Sequence, residues 1–281
     1  MITLASDFGS PYPAAMRGVV RRTSDAELVD VSHDLPRGDP RAAAFWLRFV
    51  LPEFPPAVHC AVVDPGVGTD RAAIVVRAGE HAIVAPDNGL AFPPARALAA
   101  ATGTGPNDID VFEIHEADPA STTFHGRDVF APAAARVREN AWTDGTIDGD
   151  RLTALGSLTA TDDRVDLRFP EPLVERDPDG TIDTIDGEVL VVDGFGNAIT
   201  NVPGNVITNV LGNAVGDAGH DRVRVNDAGP VPLVATFAAV PPGDRLVTVG
   251  SHGFLECDVN DGRGAEAFDL DAGDPVRLSF E

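Results

Sequence analysis

Four short polar segments follow apparent strands in the first half of the chain, and their side chains could do chemistry. The segments are SDFGS (6–10), DPGVGTDR (64–71), APDNGL (85–90) and STTFHGRD (121–128). In an open α/β sheet, ligands bind at the carboxyl ends of the strands, where such segments meet. Carboxylate, guanidinium and imidazole groups gathered there could bind a polar ligand and exchange protons with it. The pattern therefore predicts a ligand site and leaves open which reaction it performs.

The DPGVGTDR segment has a plainer interpretation as well. An apolar run that ends in Asp-Pro-Gly is typical of a strand that enters a simple turn. Asp64 and His125 could in principle ligate a metal, whereas His125 could equally be a structural residue at the start of a helix. Because the seven histidines show no HExxH or comparable metal-ligand spacing, we predict no metal.

Familiar nucleotide motifs are incomplete in this chain. Asp7-Phe8-Gly9 matches the DFG of protein kinases, but the glycine-rich loop and the HRD segment that accompany it there are missing. No lysine is available for a Walker A motif, and no GxGxxG follows the first strand. We therefore expect neither ATP hydrolysis nor a bound NAD cofactor.

The chain is strongly acidic. Its 281 residues include 44 Asp and Glu against 21 basic residues, none of them lysine, for a formal net charge of −23. Such a surface repels nucleic acids and anionic membranes, so we expect neither as a partner. An acidic, lysine-free composition resembles that of proteins from salt-loving organisms, where salt screens the repulsion. Most of the acidic residues therefore serve solubility, which lowers the expectation that any single Asp is catalytic.

Hydropathy and cysteine usage indicate a folded, cytoplasmic protein. No apolar run approaches the roughly 20 residues that a membrane helix needs. The chain opens with a strand-like run over residues 1–4 rather than with a basic leader. Cys60 and Cys257 lie in apolar, strand-like stretches, so we predict buried thiols and no disulfide.

The first half of the chain alternates strand and helix patterns. Short apolar runs predict strands at MITLAS, AELVDVS, AVHCAVVD, AAIVVRA, AIVAPDNG and IDVFEI. Asp39-Pro40 predicts the start of a helix that ends near Leu51. A second helix is predicted over RDVFAPAAARVREN, with Pro132 in its first turn. Strands interleaved with helices predict an α/β domain with a largely parallel sheet, which we assign to residues 1–165.

The second half is rich in β-branched residues, Gly, Asp, Asn and Pro, and it has no long helical stripe. This pattern predicts hairpins in an all-β domain over residues 166–281, after a linker near 160–172. The echo GNAITNV…GNVITNV, which starts at Gly196 and again at Gly204, predicts strand–turn–strand. Two further polar segments, DGFGN (193–197) and GSHGFLE (250–256), could contribute to a site.

Taken together and in this order, the six polar segments resemble the S-adenosylmethionine (SAM) hydroxide adenosyltransferase family, which is related to the SAM-dependent chlorinases and fluorinases. The likeness runs over most of the chain, from SDFG to SHGFLECDVN. Six collinear motifs are far more specific than any one of them. The resemblance implies hydrolysis of SAM to adenosine and methionine, with SAM as substrate and no cofactor. It also implies an α/β N-terminal domain, a small barrel-like β C-terminal domain, and a homotrimer whose site lies between the N-domain of one chain and the C-domain of the next.

The resemblance further assigns roles to individual residues. Asp64, Arg71 and His125 match the residues that position and activate a water in that family. Asp7 matches the carboxylate that holds the ribose diol. The remaining expected substrate contacts are Thr123 and Phe124 beside the ribose and C5′, Asp193 and Ser251 at the methionine end, and Phe195, Asn197, Phe237 and Asn260 around adenine.

Two positions separate hydrolases from halogenases in this resemblance. The related halogenases have tyrosine at the positions of Asp64 and His125, and the fluorinase has serine at that of Gly126. The long insertion of the fluorinase is also missing, since only residues 79–81 intervene between AAIVVRA and AIVAPDNG. The chain departs from many relatives at Gly38 and His252, which concerns substrate fit rather than reaction class. A SAM-dependent chlorinase and a non-catalytic adenosine- or SAM-binding module are the alternatives.

Overall fold

The computed structural model describes residues 1–115, 120–208 and 222–280. Contacts within the chain divide it into two compact units, Met1–Arg168 and Phe169–Glu281. The domain boundary between residues 165 and 166 and the linker near residues 160–172 stay predictions. No helix in the described part of the chain is long and apolar enough to cross a membrane.

The first unit contains nine described strands and five α-helices. The strands are β1 (Ile2–Ser6), β2 (Leu28–Ser32), β3 (Val58–Val62), β4 (Ala73–Ala78), β5 (His81–Pro86), β6 (Ile109–Ile114), β7 (Trp142–Thr143), β8 (Thr146–Ile147) and β9 (Leu158–Ala160). The helices are α1 (Tyr12–Val20), α2 (Pro40–Val50), α3 (Phe92–Ala101), α4 (Ala131–Ala141) and α5 (Gly149–Thr153). A 3-10 turn, Leu51–Glu53, follows α2, and a π-helical turn, Gly126–Phe130, leads directly into α4.

Seven of these strands form one sheet in the order β2-β1-β3-β5-β4-β6-β9. The pairs from β2 to β5 are parallel, and the pairs from β5 to β9 are antiparallel. The predicted α/β architecture is therefore confirmed, with its parallel part at the N-terminal strands. The sheet changes direction at β4 because β4 and β5 form a tight hairpin, in which Gly79 adopts a φ of +55°.

Local sequence explains where the helices over the sheet begin. The Asp39 side chain accepts a hydrogen bond from the Ala42 N–H at 2.9 Å, and Pro40 opens the first turn of α2, as predicted. α4 follows the predicted second helix, and Pro132 lies in its first turn. The patterns gave no warning of α1 and α3. Both are short and have proline in their first turn, and α3 is also so rich in alanine that its polar and apolar faces differ little.

The second unit is built almost wholly from strands. They are β10 (Leu173–Arg176), β11 (Ile182–Val192), β12 (Ala198–Pro203), β13 (Arg222–Val225), β14 (Val231–Pro232), β15 (Arg245–Val249), β16 (Phe254–Val259) and β17 (Pro275–Phe280). Two short helices, α6 (Gly204–Thr208) and α7 (Gly264–Phe268), and a 3-10 turn, Phe237–Ala239, complete the described part.

The strands of the second unit pair in the order β14-β13-β17-β11-β12-β16-β15, with β10 beside β11, and the pairs between them are antiparallel. A bridge between Leu233 and Val247 then brings the end of β14 against β15, so the two ends of the sheet meet. Closure of this kind removes exposed edges. The prediction of an all-β, barrel-like second unit is confirmed. Both cysteines are free and buried: Cys60 lies in the core of the first unit and Cys257 in the core of the second.

The prediction of strand–turn–strand for the internal echo is wrong in the described residues. The first copy forms β12, but the second copy starts α6 at Gly204, and its last two residues, Asn209 and Val210, lie outside the described residues. Pro203 has no N–H with which to continue the ladder. A side chain at Gly204 would also meet Val249 at 2.5 Å, so glycine is needed for the close approach where the chain leaves the sheet.

Candidate functional site

A cavity of about 400 Å³ lies in the first unit where the polar segments converge. Five predicted site residues line it: Asp7, Asp64, Thr123, Phe124 and His125. Its other lining residues are Phe8, Tyr12, Arg37, Val62, Val67 and Gly126. A larger groove of about 610 Å³ lies elsewhere in the same unit, beside β6 and α5, and contains none of the predicted residues. We place the site in the smaller cavity because the chemistry-bearing side chains meet there.

Asp64 and Arg71 form an ion pair at the end of β3. The Arg71 guanidinium donates to Asp64 Oδ1, which also accepts from the Gly66 N–H at 3.1 Å. The Asp64 side chain is only 7% exposed, so these donors offset the cost of burying its charge. The two described bonds both go to Oδ1, which leaves Oδ2 as the atom that can accept from a ligand or water.

Two glycines let the DPGVGTDR loop adopt this shape. A Cβ atom on Gly66 would overlap the Arg71 guanidinium, so the arginine reaches Asp64 only across a glycine. Gly68 has a φ of +83°, and a Cβ there would lie 2.8 Å from the carbonyl oxygen of Thr122. The loop therefore packs closely against the STTFHGRD segment.

The Asp7 carboxylate is held by the loop that follows β2. Its Oδ2 accepts from the Gly38 N–H at 2.8 Å. Two further bonds tie this loop to the end of β1, since the His33 ring bonds the Ser6 hydroxyl at 2.7 Å and the Gly9 N–H donates to the His33 carbonyl at 2.9 Å. Asp7 is thereby fixed at the cavity wall with one oxygen still available to a ligand.

His125 stands at the start of the π-helical turn, as expected for a residue just before a helix. π-Helical turns inside helices occur frequently at functional sites. The turn buries Gly126 against Phe8, so closely that a Cβ atom at position 126 would lie 2.6 Å from the Phe8 ring. Phe8 and Tyr12 both make edge-to-face contacts with Phe124, with ring centroids 5.8 and 5.3 Å apart.

In the second unit, Asp193 organises the turn between β11 and β12. Its Oδ1 accepts from the N–H groups of Phe195 and Asn197 at 2.9 Å each, and its Oδ2 accepts from the Asn197 side-chain amide at 3.2 Å. The turn presents the Phe195 ring to solvent, 81% exposed. An exposed aromatic face on a rigid turn is suited to stacking on a planar ligand.

The other three candidates of the second unit lie on different turns. Asn260 follows β16 and donates from its amide to the Val240 carbonyl at 2.7 Å, and Val240 directly follows the 3-10 turn that begins at Phe237. Asn260 and Phe237 therefore belong to neighbouring turns. Ser251 is exposed on the turn from β15 to β16.

Behind these turns lies a buried acidic pair that the sequence did not suggest. Glu256 and Asp258 are two residues apart on β16 and both are buried, Asp258 completely. His252 Nε2 lies 2.8 Å from Glu256 Oε1. Burial, followed by the charges of Glu256 and Asp193, raises the pKa of Asp258 to about 8.

Sequence reasoning also missed Tyr12 and Arg37 as cavity residues. Neither belongs to a polar segment at a strand end, because Tyr12 begins α1 and Arg37 lies in the loop after β2. The one signal in the sequence was position: Tyr12 lies two residues after SDFGS, and Arg37 directly precedes Gly38, where the chain differs from many relatives. The structure brings six of the twelve predicted residues together at the first-unit cavity, counting Arg71 through its bond to Asp64. The other six lie on turns of the second unit.

Fold and cavity together define a class of protein. It has an α/β unit in which a buried aspartate, paired with an arginine, and a histidine line one cavity, followed by an antiparallel barrel-like unit. The sequence-family model of the SAM hydroxide adenosyltransferase N-terminal domain matches residues 2–145, and the family model of the C-terminal domain matches residues 187–277. The chain belongs to the SAM hydroxide adenosyltransferase family, and the predicted resemblance is confirmed.

Relatives of known name and structure agree with this membership. The chain is 37% identical to (R)-S-adenosyl-L-methionine hydrolase of Salinispora arenicola, over 99% of this chain and 97% of the relative. It is also 37% identical to the protein of the same name from Thermus thermophilus, over 97% of each. A crystal structure of an uncharacterized conserved protein from Thermotoga maritima superposes with a TM-score of 0.77 at 29% identity, and covers 99% of this chain and all of the other.

Proposed function

We propose that this protein hydrolyses S-adenosyl-L-methionine to adenosine and L-methionine. The observation that carries the proposal is the cavity in which the Asp64–Arg71 pair, His125 and Asp7 meet. Family membership and the names of the relatives support the same reaction. The substrate carries its own leaving group, and the reaction balances without a cofactor or metal.

The chemical step is a displacement at C5′ of the substrate. A water oxygen forms a bond to C5′ while the C5′–sulfur bond breaks, and the electron pair of that bond neutralises the sulfonium as methionine leaves. Water is a poor nucleophile, so it has to be held about 3–3.5 Å from C5′ and in line with the leaving sulfur. In the proposal, Asp64 Oδ2 accepts one hydrogen of this water, and His125 orients the water and takes its proton.

Arg71 makes this arrangement possible without being the base. Its bond to Asp64 Oδ1 fixes the carboxylate and offsets the cost of burying its charge. Two carboxylates in the cavity, Asp64 and Asp7, favour a substrate that carries a positive sulfonium. The same charges repel chloride and fluoride, so the electrostatics of the cavity favour water over a halide as nucleophile.

The remaining contacts of the substrate complete the proposal. Asp7 would bind the ribose diol, with Thr123 and Phe124 beside the ribose and C5′. Asp193 and Ser251 would bind the amino acid end of SAM. The adenine would lie among Phe195, Asn197, Phe237 and Asn260, and the exposed Phe195 ring supports stacking there. We further propose that the chain forms a homotrimer, with each site between the N-domain of one chain and the C-domain of the next, and that it acts in the cytoplasm.

Product analysis tests the reaction. Purified protein is incubated with the (R) and (S) sulfonium epimers of SAM in molar potassium chloride, and products are separated by chromatography with mass detection. We expect protein-dependent adenosine and methionine in equal amounts. A 5′-chloro nucleoside would instead establish a chlorinase, and saturable binding of SAM with no product, even at high protein concentration, would establish a binding module.

Matched variants test the site. Asp64→Asn and His125→Ala are expected to lower kcat by at least 100-fold while adenosine still binds. Asp70→Asn changes an exposed aspartate of the same loop and should retain wild-type turnover. Unchanged turnover in both Asp64→Asn and His125→Ala would refute the assigned roles even if the reaction itself is observed.

A further inference from the structure

The segment STTFHGRD ends in two charged residues to which the proposed reaction gives no task. Arg127 and Asp128 form a two-pronged ion pair, with Arg127 Nε 2.6 Å from Asp128 Oδ1 and Arg127 Nη2 2.7 Å from Asp128 Oδ2. Neither residue lines the cavity. The Asp128 side chain is nevertheless only 9% exposed, which is unusual for an ordinary surface pair.

The pair is bonded to the segment that carries the proposed catalytic groups. The Asp128 carboxylate accepts from the backbone N–H of Ser121. The Ser121 hydroxyl in turn accepts from the Thr123 N–H at 3.2 Å and lies 3.1 Å from the Thr123 hydroxyl. Asp128 therefore anchors the start of the segment from which Thr123 projects into the cavity.

The same pair also fixes the end of that segment. The N–H groups of Arg127 and Asp128 both donate to the Phe124 carbonyl at 3.2 Å, which closes the turn around His125. The Arg127 guanidinium carbon lies 5.2 Å from the centre of the Phe124 ring, within the range of a cation–π contact. The hydrogen bond from Arg127 holds the pKa of Asp128 below its usual range, so the pair is charged at neutral pH.

We infer that Arg127 and Asp128 are positioning residues that hold segment 121–125, and with it His125 and Thr123, in the geometry that the hydrolysis needs. This inference rests on the proposed function. Arg127 clamps the carboxylate from one side while Ser121 binds it from the other, so loss of either charge releases the segment. A displacement of about 1 Å at a reacting group can lower a rate by roughly 100-fold.

Four variants of the Arg127–Asp128 pair and one control variant in another ion pair test the inference. Asp128→Asn keeps the shape and an acceptor for Ser121 but removes the charge that binds Arg127. Arg127→Gln removes the fork, and Arg127→Lys keeps the charge without it. Asp128→Ala removes every bond of the carboxylate. The control is Asp186→Asn, because Asp186 forms an equally tight fork with Arg277, at 2.6 Å for each bond, between β11 and β17 of the second unit.

We expect Asp128→Asn and Arg127→Gln to lower kcat for SAM at least 10-fold, with KM changed by less than about threefold. Arg127→Lys should recover part of that loss, and Asp128→Ala should be the most impaired. Asp186→Asn removes one charge from a more exposed pair, in which the Asp186 side chain is 33% exposed, and should leave kcat unchanged; the melting temperatures of Asp186→Asn and Asp128→Asn are measured alongside. A loss of kcat in the Asp128 and Arg127 variants that is absent from Asp186→Asn would show that the pair positions the segment and does not merely stabilise the fold.

The possible results have distinct meanings. If the wild-type chain hydrolyses SAM and Asp128→Asn keeps its kcat, the inference is wrong and the proposed function stands. A kcat that falls only in proportion to melting temperature, in Asp186→Asn as in Asp128→Asn, also overturns it. A wild-type chain that produces no adenosine refutes the proposed function and the inference together.

Discussion

Replacing Asp258 by Asn should stabilise the protein, and the gain should grow with pH. Asp258 is fully buried on β16 next to Glu256, and its pKa is raised to about 8 by burial and by the charges of Glu256 and Asp193. In the unfolded chain an aspartate titrates near 3.9. Between about pH 4 and pH 8, the folded protein therefore carries a proton at Asp258 that the unfolded chain has lost.

The sign and size of the effect follow from this difference in bound protons. Because the folded state binds the extra proton, the contribution of Asp258 to stability is fully present below about pH 4 and is lost as the pH rises towards 8. One proton corresponds to about 1.4 kcal/mol of unfolding free energy per pH unit. Asparagine has the shape of the protonated acid and no titration, so the advantage of Asp258→Asn should increase by roughly 2.7 kcal/mol from pH 5 to pH 7.

Urea unfolding at pH 5, 6, 7 and 8 in constant potassium chloride measures this slope. The quantity to compare is the difference in unfolding free energy between variant and wild type, because the repulsion of the acidic surface then largely cancels. Asp186→Asn is the control, since Arg277 holds the pKa of Asp186 below its usual range and its titration is complete before pH 5. If the difference in unfolding free energy between Asp258→Asn and wild type changes with pH no more than that of the control, Asp258 is ionised in the folded protein and the reasoning is refuted.

The remaining predictions concern the first unit. Burial lowers the pKa of His59 to about 3 and that of His81 to about 4, so both stay neutral when folded, and stability should fall as the pH drops from about 6.5 towards 4. His81→Gln should reduce that fall by about 1.4 kcal/mol per pH unit in the same urea titration, and an unchanged acid slope would contradict this. Gly126→Ser should displace the Phe8 ring, destabilise the folded protein by about 1–3 kcal/mol and lower kcat. The control is Gly18→Ser, which should keep the wild-type kcat because a Cβ atom at position 18 meets no atom within 4 Å. Normal turnover in Gly126→Ser would contradict the packing argument.

Sequence predicted those parts of the fold that depend on local chemistry. The aspartate and proline before α2 specify a helix start whatever the rest of the chain does, and the structure shows the expected cap at Asp39. The six polar segments were found because their residue types and order are specific. Six of the residues they contain meet at one cavity, as strand ends in a parallel sheet require.

The rest could not be predicted because it depends on contacts between distant segments. Tyr12 becomes a cavity residue only through its packing on Phe124, more than a hundred positions away. The π-helical turn after His125 packs Gly126 against Phe8, a contact between distant segments that no periodicity in the sequence records. The echo at Gly204 illustrates the opposite error, since two copies of similar sequence adopt different structures in their described residues: the first forms β12 and the second starts α6.

The acidic composition made every aspartate a weak candidate for catalysis, and the structure supplies the criterion that distinguishes them. Asp70, on the same loop as Asp64, is exposed to solvent and contributes to the charge that keeps the protein soluble. Asp64 is 7% exposed, accepts from a backbone N–H and is paired with an arginine, and removing its charge from water costs free energy. Solubility gains nothing from a buried carboxylate. Its burial is explained if the carboxylate has to be held in place, with one oxygen available, beside a substrate that is itself a cation.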